Sequence, residues 1–383
     1  MSNLSPSQAA GIALGVYSLR EEQSEAARLV KGDPLKIDGL FGASTRFTGT
    51  SGAIFRPLSG FGYVAAGVGQ FAGDILIATR GTATAADWLT DLNIGVQFGP
   101  GGQLVHAGFN ETFKSFVAQL QEFLRGRNPA RIHCVGHSLG GALAFLNADF
   151  ATANRTGDVR VYTFGAPRTG PAAFARQLTQ QVGKDNIFRV SNPVDPVPMI
   201  PIFPFFHVPF GEEGLQIGRT SGMPVSVAGH SMADSYIPGV AGKTWNNLIV
   251  PGTDERQVKG FLENAAQGAG GFIMGSARLL DMIGRALGYM LKTAGQVCKG
   301  VLGLALTGGM TILDQVAWML TQAALVSAEM GRGLVTLVGM IFRFLGRTVS
   351  AGTQITVAFL RWVLDLLFTA MRAVAHRAVA LVR

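Results

Sequence analysis

The stretch Arg131-Ile-His-Cys-Val-Gly-His-Ser-Leu-Gly-Gly141 constrains this chain more than any other. An apolar, strand-like run enters Gly136-x-Ser138-x-Gly140, and a helix-forming run, Leu139–Ala151, leaves it. Such a strand-to-helix turn, a nucleophile elbow, holds a serine hydroxyl at the top of an α/β sheet. Glycine is required at 136 and 140 because side chains there would clash inside the turn. The helix that follows aims its N-terminal N–H groups toward the serine and favours negative charge developing there. Ser138 is therefore the candidate nucleophile.

In this fold the triad runs Ser, then Asp or Glu, then His. Six histidines allow elimination: His106 and His133 precede the serine, His137 adjoins it, and His376 lies in a segment of different composition. His207 and His230 remain. The acid candidate is Asp195, in Ser191-Asn-Pro-Val-Asp-Pro-Val-Pro198, directly after the strand-like run Asn186–Val190. Its flanking prolines stop further strand or helix and leave a rigid loop. His207 follows Asp195 too closely, within an apolar, strand-like segment. His230 leaves room for one more strand, about 205–217, before the base loop, and the spacing favours it. In those roles Ser138 attacks a carbonyl, His230 moves the proton, and Asp195 fixes the imidazole tautomer. The Leu139 N–H, just after the nucleophile, is one expected oxyanion donor.

Alternating strands and helices predict a mostly parallel sheet covered on both faces. Strands are expected at 47–56, 62–69, 74–80, 131–136, 159–164 and 186–191. Helices are expected at 6–31, 84–92, 108–125, 139–154 and 171–182. Ser5-Pro-Ser-Gln8 reads as a capping box with proline in the first turn.

Six segments then agree with one family. Ala78-Thr-Arg-Gly-Thr82, Asp87-Trp-Leu-Thr-Asp-Leu92, Val105-His-Ala-Gly-Phe109, Gly136-His-Ser-Leu-Gly-Gly141, Thr163-Phe-Gly-Ala-Pro-Arg168 and Asp195-Pro-Val-Pro198 appear in the order of class 3 (fungal-type) lipases. The chain resembles that family, of the α/β-hydrolase superfamily, over roughly residues 45–240. The resemblance implies a second oxyanion donor at Thr82, a structural support at Asp91, and architectural roles for His106 and Gly108. It also implies cleavage of carboxylic esters of lipids without metal or organic cofactor. The family's lid helix should lie between Thr82 and His106. Gly95–Gln103 is glycine-rich where that helix should be.

The fold class expected is an α/β-hydrolase domain over 1–259, followed by an all-α module over 260–383. Residues 1–259 carry 21 basic and 19 acidic side chains, and residues 260–383 carry 11 and 5, so most of the net charge of +8 sits in the module. There Arg278, Arg285, Lys292 and Lys299 recur every seven residues, opposite Ile283, Leu287, Met290, Leu291 and Ala294. That pattern is an amphipathic basic helix. Gly300–Leu313 and Gln315–Ala328 are uncharged but shorter than a bilayer span needs, and Asp314 separates them. Gly271-x-x-x-Gly275 and Gly284-x-x-x-Gly288 permit close helix contact. A helical bundle and an anionic-membrane-docking module both fit this pattern. Nucleic acid is not expected as a partner, since no zinc ligands and no aromatic–basic interleaving accompany the charge.

The predicted activity is thus a serine lipase or phospholipase acting through an acyl-enzyme. Alternatives are a membrane-inserting or pore-forming protein, or an acyltransferase using the same triad. Expected partners are lipid substrate, a phospholipid membrane contacted through 260–383, and an inhibitor, immunity or chaperone protein. No basic cluster precedes Arg20, and two cysteines cannot make a disulfide framework. These features predict cytoplasmic synthesis without a secretory signal. Peripheral membrane association or delivery by a specialised secretion route would follow, as in an antibacterial lipase effector.

Overall fold

The computed structural model describes residues 3–20, 39–50, 59–81, 95–154, 156–201, 204–218, 224–251, 255–267, 275–297, 311–350 and 352–380. The chain divides into two compact units, one of residues 1–219, 226–251 and 375–383, the other of 220–225 and 252–374.

The first unit is built on a seven-stranded sheet of order β1-β2-β3-β6-β7-β9-β11. Its strands are β1 Phe41–Gly49, β2 Ser59–Gly67, β3 Asp74–Thr79, β6 Arg131–His137, β7 Asp158–Phe164, β9 Ile187–Ser191 and β11 Leu215–Gln216. β1 and β2 are antiparallel additions, and from β3 onward every pairing is parallel. Every residue of β3, β6 and β9 is buried, as a parallel strand covered on both faces must be. Helix α1 (Pro6–Gly15) carries the expected capping box. It ends ten residues in and passes into a 3-10 turn, Val16–Arg20, rather than running to 31.

The helix expected over 108–125 is two, α2 (Ala107–Lys114) and α3 (Val117–Leu124). The break falls where the Ser115 hydroxyl donates to the Thr112 carbonyl at 2.6 Å and accepts the Thr50 N–H at 2.9 Å. Local serine hydrogen bonds of this kind compete with the helical ladder. Helices α4 (Leu139–Ala153) and α5 (Ala172–Val182) lie close to their expected bounds. The single strand expected over 205–217 is two dipeptides in different sheets. β10 (Phe205–Phe206) pairs with β8 (Gly170–Pro171), and β11 pairs with β9. Pro209, which has no N–H, and Gly211 and Gly214, both at positive φ, interrupt the run. The helix expected at 84–92 lies outside the described residues.

A short hairpin, β4 (Val96–Phe98) and β5 (Leu104–His106), runs directly into α2, in place of a helix over the glycine-rich stretch. Its turn is latched to α4: the Gly101 N–H donates to Asp149 Oδ2 at 2.7 Å. Burial pushes the Asp149 carboxyl up to about 6, and the Gly101 N–H only partly offsets this. A carboxyl raised on folding stabilises the fold fully below its unfolded value of 3.8, and that contribution is lost as pH rises through about 6. Asp149→Asn should therefore raise stability near pH 7.5 by about 2–3 kcal/mol and flatten its decline between pH 4 and 6. Urea titrations across that range read this directly.

The second unit is helical: α7 (Glu255–Ala266), α8 (Ala277–Val297), α9 (Ile312–Val326), α10 (Ala328–Phe344) and α11 (Val357–Ala380), the last up to residue 374. A short helix α6 (Ile237–Val240) precedes them in the first unit. Along α8 the residues Ile283, Leu287, Met290, Leu291 and Ala294 are buried, as their period demands. The opposite stripe is partly self-neutralised, since Arg285 pairs with Asp281 at 2.8 Å. Lys299 and Gly271 lie outside the described residues. Asp314 does not interrupt a span. It closes the capping box of α9 with Thr311, and hydrogen bonds from Thr311, with Arg361 beside it, hold its carboxyl below the usual range. Among the described residues no helix is long and apolar enough to cross a membrane.

Candidate active site

The elbow forms where β6 delivers the chain to α4. Ser138 has φ 58° and ψ −132°, and it is the one described non-glycine residue at positive φ. Holding an L-residue there costs of order 1–3 kcal/mol, which the surrounding structure must offset. Two constraints do so. The Ser138 N–H donates to the Phe164 carbonyl at 3.0 Å, and the Gly141 N–H donates to the Ser138 carbonyl at 2.9 Å. The turn is so tight that a Cβ on Gly136 would lie 2.0 Å from the Gly140 carbonyl oxygen.

The strained turn presents the hydroxyl to the base loop. Ser138 Oγ lies 2.9 Å from His230 Nε2, and His230 Nδ1 lies 2.8 Å from Asp195 Oδ2. All three side chains are buried. His207, the other histidine left by elimination, does not join them. It sits beside Arg168 and Arg189, and burial holds its imidazole well below the usual range. Leu139 opens α4 directly after Ser138. Thr82 and Asp91 lie outside the described residues.

Asp195 is held by three donors. Val197 N–H reaches Oδ1 at 2.8 Å, while the Tyr236 hydroxyl joins His230 on Oδ2 at 2.6 Å. The Tyr236 oxygen accepts the Asn192 N–H at 3.1 Å, so the phenol is aimed from both sides. Burial, then the neighbouring Asp195 charge, pushes its phenol well above the ordinary range, and it stays a donor. His230 is steadied from behind. His137 Nε2 donates to the His230 carbonyl at 2.9 Å, and its Nδ1 accepts from the Tyr17 hydroxyl at 2.9 Å. Burial and the adjacent His230 hold the His137 imidazole well below its usual value, so it is neutral with one tautomer. The same Tyr17 oxygen accepts the N–H of Gly81, the residue before the expected oxyanion donor Thr82, at 3.1 Å.

Sequence reasoning set His137 aside for its adjacency to the nucleophile and took no notice of Tyr17 or Tyr236. His106 is fully buried at the start of α2, its ring 4.4 Å from Phe109 and 5.5 Å from Phe205. Burial lowers its imidazole to about 4. Of the apolar segment after Asp195, Ile200 and Phe205 are buried, whereas Ile202 and Phe203 lie outside the described residues. A second Asp–His pair, Asp74 with His133 at 3.0 Å, lies at the opposite end of β6 from Ser138.

A parallel α/β sheet with a strained serine at the strand–helix turn, hydrogen-bonded to a histidine and through it to an aspartate, is a site of the serine-hydrolase type. Residues 76–205 match the model of the lipase (class 3) family. A secreted mono- and diacylglycerol lipase of Fusarium solani is 32% identical over 142 residues, covering 35% of this chain and 42% of that one. A chloroplastic phospholipase A(1) of Arabidopsis thaliana is 32% identical over 152 residues, covering 33% and 34%. The chain thus spans less than half the length of these relatives. Among solved structures, the Lip2 lipase of Yarrowia lipolytica is 21% identical, covering 61% of this chain and 86% of that one, with a TM-score of 0.43.

The relatives correct one expectation. Three of them, one from Fusarium and two from Penicillium, are named as secreted lipases. Cytoplasmic synthesis without a secretory signal does not stand against that. A leader is read by export machinery and is no part of the folded enzyme, so a missing basic cluster before Arg20 was weak ground.

Proposed function

We propose that this protein is a serine ester hydrolase acting on acylglycerols or glycerophospholipids through an acyl-enzyme, with residues 1–259 as the hydrolase domain. The observation that carries the reading is the continuous Ser138–His230–Asp195 hydrogen-bond chain, at 2.9 and 2.8 Å, behind a strained elbow. The names of the relatives support the substrate class. They comprise mono- and diacylglycerol lipases and a phospholipase A(1).

In that reading His230 Nε2 takes the proton as Ser138 Oγ attacks the ester carbonyl, then gives it to the leaving alcohol oxygen. Water repeats the sequence on the acyl-enzyme and releases the fatty acid. The Leu139 N–H, at the positive end of α4, and the Thr82 backbone N–H stabilise the tetrahedral oxyanion, each worth about 3 kcal/mol of barrier. Asp195 orients His230 and stabilises the imidazolium. Tyr236 and the Val197 N–H keep its carboxylate from turning away, and His137 fixes the backbone that carries the base. Membrane contact through residues 260–383 completes the proposal.

Tyr236→Phe separates positioning from packing. It removes one donor from Asp195 and keeps the ring. We expect kcat on a soluble short-chain ester to fall by about tenfold with KM little changed, since hydrogen bonds to charged groups contribute about 1.5–3 kcal/mol. A lower melting temperature with kcat unchanged would leave Tyr236 a packing residue. Fatty-acid release from phospholipid vesicles and from acylglycerol emulsions, wild type against Ser138→Ala, tests the function itself.

A further inference from the structure

We propose that Tyr17 is a positioning residue, whose phenol holds the end of β3 beside the nucleophile in register with the loop that carries His230. The inference rests on the triad reading and adds to it a group from the N-terminal segment, outside the triad.

The turn Val16–Arg20 brings the phenol there. Helix α1 buries Ala9, Ala10, Ile12 and Ala13, and the turn buries Val16 and Leu19 on either side of the tyrosine. Anchored on both sides, Tyr17 carries its oxygen to 2.9 Å from His137 Nδ1 and 3.1 Å from the Gly81 nitrogen. The direction of each proton is fixed. The His230 carbonyl can only accept, so His137 carries its proton on Nε2 and presents a lone pair at Nδ1. The phenol proton goes to that lone pair, and an oxygen lone pair takes the Gly81 N–H. Gly81 and His137 are both buried, so losing the hydroxyl withdraws a partner from a buried donor and a buried acceptor together.

Gly81 is where this bears on chemistry. Its carbonyl accepts from Arg80 Nη1 at 2.7 Å. That carbonyl shares one planar peptide unit with the N–H of Thr82, the proposed oxyanion donor. Arg80 thus holds one side of Gly81 and Tyr17 the other. A Cβ on Gly81 would lie 3.1 Å from Ser138 Cβ and 3.2 Å from the His137 carbonyl oxygen, so the strand end is pressed against the elbow. Tyr17 extends the hold across to His137, and through it to the backbone of His230. One hydroxyl therefore ties together the strand end before the oxyanion donor, the residue before the nucleophile and the loop of the proton acceptor. Oxyanion donors act at full strength only when they are aligned before the charge develops, and a tie of this kind supplies that alignment.

The molecule contains its own control. At the other end of β6 the Tyr162 oxygen accepts the Leu4 N–H at 3.2 Å and lies 3.3 Å from His133 Nδ1, the same pattern away from Ser138. In the full chain, Tyr17→Phe should lower kcat on a soluble short-chain ester about tenfold with KM little changed. Phenylboronic acid, whose tetrahedral adduct on Ser138 places an oxygen where the oxyanion forms, should bind about tenfold more weakly. Tyr162→Phe should lose comparable thermal stability and keep its kcat. Full kcat in Tyr17→Phe, or an equal loss of kcat in both variants, would overturn the proposal. Nitrogen-15 spectra read the tie without turnover. In Tyr17→Phe the Gly81 amide should exchange faster with solvent and the His137 Nδ1 signal should move, with the His133 signal in place. Unchanged Gly81 and His137 signals would also overturn it, whereas a wild type that hydrolyses no ester but shows these shifts would sink the hydrolase reading alone.

Discussion

Ser138→Ala should abolish fatty-acid release, lowering kcat/KM by about 10⁴-fold or more, and leave the fold intact. Losing a nucleophile of this type costs that much because the remaining groups act as one unit with it. The fold should survive because the hydroxyl makes one side-chain hydrogen bond, to His230, and the elbow is held by backbone groups. The backbone angle adds a second, independent signature. Alanine at φ 58° is as strained as serine, whereas glycine is not. Ser138→Gly should be equally inactive yet more stable than Ser138→Ala by about 1 kcal/mol. Ester hydrolysis persisting in either variant would falsify the assignment. Equal stability of the two would mean that the elbow is not strained as described.

The largest structural effect is expected at Gly136. An added methyl would lie 2.0 Å from the Gly140 carbonyl oxygen, 2.3 Å from its carbon and 2.7 Å from the Gly141 nitrogen. These are backbone atoms of the first turn of α4, and no rotamer change moves them aside. Gly136→Ala should cost more than about 4 kcal/mol or prevent folding, the range reached only when core backbone must shift. Any folded fraction should be inactive, since relief of the clash displaces Ser138 from His230. Gly11, mid-helix in α1 with nothing within 4 Å of a built Cβ, is the contrast. There alanine should stabilise by about 0.5–1 kcal/mol. Urea unfolding of both variants reads the difference.

What the sequence disclosed and what it withheld divide along a physical line. β6, α4, β7, α5 and β9 were legible because burial on both faces gives apolar runs, and glycine and proline mark their ends. Ser138, Asp195 and His230 followed from chain order and spacing alone, two quantities a linear chain displays. Tyr17, His137 and Tyr236 did not follow. Tyr17 meets His137 across 120 positions, and Tyr236 meets Asp195 across 41. In a single sequence each phenol looks like any other aromatic core residue. The Thr163-Phe-Gly-Ala-Pro-Arg168 segment was recognisable only by resemblance, and its reason is spatial. At Gly165, φ is +57°, and a Cβ would lie 2.8 Å from Asp195 Oδ2 and 3.0 Å from His230 Nδ1. Where elements ended early, side chains outside the local pattern decided the outcome, as Ser115 does between α2 and α3.

The Tyr17 contact sets a lower bound on how short a working version of the proposed hydrolase can be made. The family-matched span, 76–205, carries Ser138 and Asp195 but neither His230 nor the α1 segment whose phenol bridges His137 and Gly81. Trimmed to that span, the chain would keep Ser138 and Asp195 and lose the proposed proton acceptor, His230. A chain trimmed to 39–251 would keep the triad, yet the His137 ring would exchange a fixed partner for solvent. The stretch that matches the family model is therefore smaller than the stretch that holds the proposed triad and its supports, and minimisation has to preserve residues 3–20.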